Sequence, residues 1–130
     1  MGIKYLWDTN TVIYYLQQHF PPKAEKFIDD LLLDSRPCIS VISEIELLCW
    51  KGASEKDMEV LHSFIRDALI IELEPAIKLK TVDIRKLHTI KLPDAIIAAS
   101  AQVNNLTLIT RNTSDFKNIT DLPIVNPWNY

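Results

Sequence analysis

Five acidic residues stand at, or shortly after, the ends of short apolar runs. Asp8 follows Ile3–Trp7, Glu44 and Glu46 come just after Cys38–Val41, Asp94 follows Pro93 at the head of a helical stretch, and Asp115 lies a few residues past Leu106–Ile109. No histidine, cysteine or serine is placed comparably. Carboxylates that converge on one cleft repel each other, by about 1 kcal/mol per pair at 4 Å in water and about 4 kcal/mol at an effective dielectric near 20. Basic side chains are not placed systematically at these strand ends, so a divalent cation is the natural counter-charge. An oxygen-only donor set without histidine or cysteine suits Mg²⁺ or Mn²⁺ better than zinc. Such an ion lowers the pKa of a bound water and stabilises charge in an in-line attack on phosphorus. Asp8 and Asp94 also read as helix N-caps, a role aspartate fills well.

Glu44 and Glu46 separate on a helical wheel. At about 100° per residue, Ile42, Ile45 and Cys49 mark one face; Glu46 falls about 40° from Ile42 and Glu44 about 200° away. The expectation is that Glu46 faces the protein and Glu44 faces water. An acid beside an apolar face is costly unless paired, which again asks for a cation.

The elements that must position these acids are legible as apolar runs bounded by turn residues. Strands are expected at Ile3–Trp7, Cys38–Val41, Leu69–Leu73, Leu106–Ile109 and Ile124–Val125. Helices are expected at Thr11–Gln18, Ile42–Lys51, Ser54–Ile65, Pro75–His88 and Asp94–Asn104, and along the stripe Ala24, Phe27, Ile28, Leu31 and Leu32 behind Pro21-Pro22. Ser54 with Asp57 three residues on resembles a capping box. The helix after Asp94 is rich in small residues and can pack closely. Strands alternating with helices, and apolar throughout, indicate a parallel sheet covered on both faces. The fold class is therefore α/β: one doubly wound domain over residues 1–130, with about five strands and helices on both faces. In such sheets a ligand binds at the carboxyl ends of the strands, where the acids lie.

Four stretches taken in order carry a resemblance: Trp7-Asp8-Thr9-Asn10; Ile39-Ser40-Val41-Ile42-Ser43-Glu44-Ile45-Glu46-Leu47; Leu92-Pro93-Asp94-Ala95-Ile96-Ile97-Ala98-Ala99; and Leu108-Ile109-Thr110-Arg111-Asn112-Thr113-Ser114-Asp115-Phe116. They resemble the motifs of PIN-domain ribonucleases, above all the VapC-type toxins of toxin–antitoxin pairs, over essentially the whole chain. The resemblance implies a Mg²⁺-dependent endoribonuclease (Mn²⁺ being the other ion), with Asp8, Glu46, Asp94 and Asp115 as the catalytic, metal-holding acids. It places Glu46, rather than Glu44, in the quartet. Some family members carry the fourth acid where Asn112 stands, so Asn112 and Asp115 compete for that position. The resemblance further implies an RNA substrate, an antitoxin partner and a homodimer, for which the Ala24–Leu32 and Ile42–Trp50 helices offer apolar residues. Gly52 corresponds loosely to a family glycine after the second motif.

Thr9, Asn10 and Asn112 are short polar residues able to orient carboxylates or phosphate oxygens, and equally able to serve as turn and cap residues. The net charge of −3 gives no global basic footprint. From Ala76 to Leu92, however, Lys78, Lys80, Arg85, Lys86 and Lys91 stand against Asp83 alone, a local charge of +4 leading into Asp94. Lys86, Lys91 and Arg111 are the candidates for RNA contact.

Composition removes other classes. At 130 residues the chain suffices for one domain, and the 48% apolar and 24% charged fractions are ordinary globular values. Gly2 and Gly52 are the sole glycines, which excludes a P-loop and a dinucleotide fingerprint. The three histidines show no HExxH spacing, no GxSxG occurs, and Trp7 and Trp50 read as core. Cys38 and Cys49 read as two buried reduced thiols. The N-terminal stretch has no apolar run of signal length, so a cytoplasmic protein without membrane attachment is expected. Two rivals remain. Asp8-Thr9-Asn10-Thr11-Val12 resembles the nucleophile motif of haloacid-dehalogenase phosphohydrolases, but Asn10 stands where that chemistry needs a second acid. A PIN-like module that binds RNA or protein without cutting would have no reason to bear the repulsion of so many acids.

Overall fold

The computed structural model describes residues 3–129; Met1 and Gly2, at the head of the stretch searched above for a targeting signal, lie outside them, as does Tyr130. Strand β1 (Tyr5–Trp7) leads into α1 (Thr9–Leu16) and α2 (Pro22–Asp34). Strand β2 (Cys38–Ser40) is followed by α3 (Val41–Leu48) and α4 (Glu55–Asp67), and β3 (Leu69–Ile71) by α5 (Pro75–Leu87) and α6 (Leu92–Val103). Strand β4 (Thr107–Ile109), a 3₁₀ turn at Thr113–Asp115, β5 (Ile124–Val125) and a second 3₁₀ turn at Pro127–Asn129 complete the chain.

All strand pairings are parallel. The strands do not form a single five-stranded ladder. They make a three-stranded ladder, β1-β4-β5, and a two-stranded ladder, β2-β3, with β2 lying beside β1. At the β1/β2 step, where no ladder forms, Leu6 and Cys38 share one core cluster and Trp7 and Ile39 the other.

Alternate residues along the strands divide the core in two. Leu6 and Leu108 join Ile77, Ile84, Phe116 and the α6 residues Ala95–Ala101 on one face. Trp7 and Ile109 join Val12, Ile28, Leu47, Leu61 and Phe64 on the other. A sheet covered on both faces is what uninterrupted apolar strands require. Each large side chain buried this way contributes about 1.5–3 kcal/mol.

Local chemistry sets the helix starts. Asp8, Ser40 and Ser54 accept bonds from the first turns of α1, α3 and α4, and Ser54 with Asp57 completes the capping box. Pro75 and the Pro21-Pro22 and Leu92-Pro93 pairs open α5, α2 and α6 without side-chain caps. The helix α1 starts at Thr9, two residues earlier than the periodicity indicates, because Asp8 caps it directly. Gly52, in the turn between α3 and α4, has φ +79°, a left-handed conformation that glycine adopts without strain. One expectation is corrected. Cys49 is exposed rather than buried, whereas Cys38 is buried and its thiol is pushed up to about 11 by that burial. Among the described residues, no helix is long and apolar enough to cross a membrane.

Candidate active site

The parallel register sets Trp7 beside Ile109, so the residues that follow them, Asp8 and Thr110, emerge together at the carboxyl edge. Both are buried. The Asp8 amide donates to the Ile109 carbonyl at 3.0 Å. The Thr110 hydroxyl donates to Asp8 Oδ2 at 2.8 Å, and the Thr9 amide donates to Oδ1 at 2.8 Å. The same Thr110 oxygen accepts from the Asn112 amide at 3.0 Å. Asp8 is thus both helix cap and site residue, held at both oxygens. Burial nevertheless pushes its carboxyl above the ordinary value, outweighing the bonds from Thr110 and Thr9, and the charges of Glu46 and Asp115 push the same way.

Asp94 sits in the first turn of α6, a helix whose Ala95, Ala98 and Ala99 are fully buried. Its carboxyl is pushed up to about 6, first by burial and then by Asp8, Asp115 and Glu46, with Lys91 opposing. Three other carboxylates therefore act on Asp94, and the four acids share one field.

Glu46 comes from α3. Thr9 Oγ1 donates to Glu46 Oε1 at 2.7 Å and lies 2.9 Å from the hydroxyl of buried Ser43. The helical-wheel reasoning that selected Glu46 does not hold. The buried face of α3 is Ser43 and Leu47, whereas Ile45 is 52% exposed, Cys49 is exposed, Glu46 is exposed and Glu44 is half-buried. Glu46 reaches the cleft along the helix flank through Thr9, and Glu44 is not among the charges acting on Asp8 or Asp94.

Asp115 closes the 3₁₀ turn after β4 and is exposed. Asn112 donates through Nδ2 to Asp115 Oδ2, so the two candidates for the fourth position are hydrogen-bonded to each other. The charge on Asp115 acts on both Asp8 and Asp94, while Asn112 orients it.

Two cavities open at three of these acids, and Glu46 lines neither. One, of about 680 Å³, is lined by Arg85, His88, Lys91, Asp94, Ser114 and Asp115. The other, of about 280 Å³, is lined by Asp8, Asn10, Tyr14, Arg111 and Asn112. Lys86 is exposed on α5 and does not line the first cavity; its neighbour Arg85 does. Thr110, Ser43 and Tyr14 are site residues that reasoning from acids alone missed. Thr110 had a signal: it ends a strand, as Asp8 does.

The donor chemistry fits a hard divalent cation, since every candidate ligand is a carboxylate oxygen. Among the described residues the single ion pair is Lys26–Asp30, so no cleft acid is neutralised by a direct partner. No group of three histidine, cysteine or acidic side chains is already gathered into a coordination cluster among those residues.

A family model described as PIN domain matches residues 5–122. The chain is 30% identical to a chain of a toxin–antitoxin complex from Klebsiella pneumoniae, with a TM-score of 0.76 over 95% of this chain and 98% of that one. It is 26% identical to a chain of DNA-bound VapBC from Salmonella typhimurium, with a TM-score of 0.81 over 97% and 99% of the two chains. It is also 26% identical to a chain of VapBC-1 from nontypeable Haemophilus influenzae, with a TM-score of 0.79 over 98% and 100%. No curated protein matches the sequence.

Proposed function

The chain belongs to the PIN-domain family of nucleases and is of the VapC type, and from that premise we propose that it is a Mg²⁺-dependent endoribonuclease, the toxin of a type II toxin–antitoxin pair. One observation carries the chemistry: at the carboxyl edge of a parallel sheet the charges of Glu46 and Asp115 act on Asp8, and those of Asp8, Glu46 and Asp115 act on Asp94, with no ion-paired cation at these acids among the described residues. Carboxylates left in that condition are destabilised as anions, and a divalent ion offsets the cost.

Asp8 and Asp94 are the residues that would hold the ion, with Glu46 and Asp115 completing the negative cleft. Mg²⁺ is the expected ion, and Mn²⁺ would serve the same donors. When bound, such an ion supplies an activated water and charge stabilisation at phosphorus. The chain's own residues do the positioning. Thr110 and the Thr9 amide orient the two Asp8 oxygens, the Thr9 hydroxyl orients Glu46, and Asn112 orients Asp115. Lys91 and Arg85 line the larger cavity beside Asp94 and would draw the RNA backbone toward it. The expected protein partner is an antitoxin, as in the complexes that the chain resembles, acting in the cytoplasm.

The test is incubation with RNA and, separately, with a phosphomonoester, each with Mg²⁺, with Mn²⁺ and with chelator. RNA cleavage that requires the ion and disappears in Asp94→Asn supports the proposal. Turnover of the monoester without RNA cleavage would transfer the assignment to a phosphohydrolase using Asp8 as nucleophile. RNA binding with no cleavage under either ion would make the chain a binding module.

A further inference from the structure

The smaller cavity has a wall that the acids do not explain. Arg111, directly after Thr110, carries its guanidinium carbon 5.7 Å from the ring centre of Tyr14 and 5.3 Å from that of Trp128. Tyr14 belongs to α1, and Trp128 lies in the 3₁₀ turn that follows β5, over 100 residues away in sequence. The two rings are fixed against each other at 5.1 Å, and Trp128 also packs on Phe20 at 4.9 Å. The Trp128 amide is tied to Asn126 Oδ1 at 3.0 Å. A flexible arginine is therefore held by two aromatic faces from opposite ends of the chain.

What Arg111 lacks is equally specific. Its side chain is exposed and shares a cavity with Asp8, yet among the described residues its guanidinium makes no hydrogen bond or ion pair. These cation–π contacts consume none of the guanidinium's N–H donors, which stay available in the fork geometry that suits two phosphate oxygens. An anion entering an acidic cleft needs a positive wall on each side of it. Arg85 and Lys91 line the Asp94 side; Arg111 lines the Asp8 side.

We infer that Arg111, braced by Tyr14 and Trp128, is a phosphate-binding residue that grips the backbone of single-stranded RNA on the Asp8 side of the cleft, and that Tyr14 and Trp128 are its positioning residues. The inference rests on the nuclease reading and adds a binding element that reading does not require. The segment after β5 becomes part of the substrate site, rather than only a closing stitch of the fold.

The test uses the full chain and a mixed-sequence single-stranded RNA oligonucleotide. Steady-state cleavage with Mg²⁺ gives kcat and KM, and RNA affinity is measured in an Asp94→Asn background across a salt series. Arg111→Ala is expected to raise KM and the dissociation constant by about 10- to 100-fold, the loss of one charge-assisted contact. It should lower the salt slope of binding by about 0.7, the share of one phosphate on a single strand. Arg111→Lys keeps the charge but not the planar fork, and is expected to recover only part of the affinity. Trp128→Ala should raise KM with a smaller change in kcat, and Trp128→Phe should restore it; Tyr14→Leu reads the same bracing where Trp128→Ala folds poorly. Unchanged KM, affinity and salt slope in Arg111→Ala would overturn the inference. Wild-type behaviour of Arg111→Lys, or a Trp128→Phe protein no better than Trp128→Ala, would overturn the bracing. If the wild-type chain leaves the RNA intact, the nuclease reading falls, whereas the binding series still decides Arg111 on its own.

Discussion

Replacing Asp94 by asparagine removes a charge that burial and three neighbouring carboxylates disfavour, so the variant is expected to lose cleavage and yet fold more stably without metal. The direction follows from linkage. The folded carboxyl titrates near 6 and the ordinary value is 3.8, so between these pH values the native state binds more protons than the unfolded chain, and stability falls as pH rises through that window. Asp94 is partly exposed, and after discounting for solvent screening the effect at pH 7 is about 1 kcal/mol. Asp94→Asn should therefore raise the metal-free melting temperature at pH 7 by roughly 3–5 °C and leave it nearly unchanged at pH 4; calorimetry at the two pH values checks this. The Mg²⁺ concentration for half-maximal cleavage should fall as pH rises from 5 to 7, because protons and metal compete for the same oxygens. Thr110→Val keeps the shape of a buried residue but deletes the bond to Asp8 and strands the Asn112 amide. It is expected to cost about 1–3 kcal/mol in denaturant titrations and to reduce cleavage more than its stability loss alone accounts for.

At the scale of elements, α6 and α4 offer contrasting tests. Asp94 reaches its place because α6 is lined with alanines that let it sit close to its neighbours, and Ala98 and Ala99 are fully buried there. Ala98→Leu has no space to fill and should cost about 1–3 kcal/mol by overpacking, displacing Asp94 and lowering cleavage together with stability. Ser54→Ala breaks the capping box of α4, on a turn that contributes nothing to the cleft. It should cost about 1 kcal/mol while kcat and KM stay at wild-type values. A fall in catalysis for Ser54→Ala, or none for Ala98→Leu, would contradict the view that α6 alone of these two positions the site.

For the whole molecule, the metal and a second copy are the expected stabilisers. An ion at one hundred times its dissociation constant adds about 2.7 kcal/mol, so Mg²⁺ should raise the melting temperature of wild type at pH 7 and do so far less for Asp94→Asn. The homodimer expected from the family rests on helices whose apolar residues face outward: Ile45 and Leu48 on α3 are 52% and 46% exposed, and Leu33 on α2 is 82% exposed. A protein that sediments as a dimer, and as a monomer after Ile45→Lys with Leu48→Lys, would meet that expectation; a monomeric wild type would refute it.

Sequence alone determined the element order, the α/β class, the two-faced burial of the strands, and the presence of the acids at strand ends. Those features follow from apolar runs, caps and prolines, which act over a few residues and are written in the chain directly. Tertiary structure decided which face of α3 is buried. A helix of eight residues carries too few turns for a wheel to settle that, and the sheet takes Ser43 and Leu47 rather than Ile45 and Cys49. It also divided the strands into ladders of three and two, and brought Trp128 onto Tyr14 and Arg111. Each of these depends on residues far apart in sequence meeting at one edge of a sheet, and no local pattern encodes that meeting.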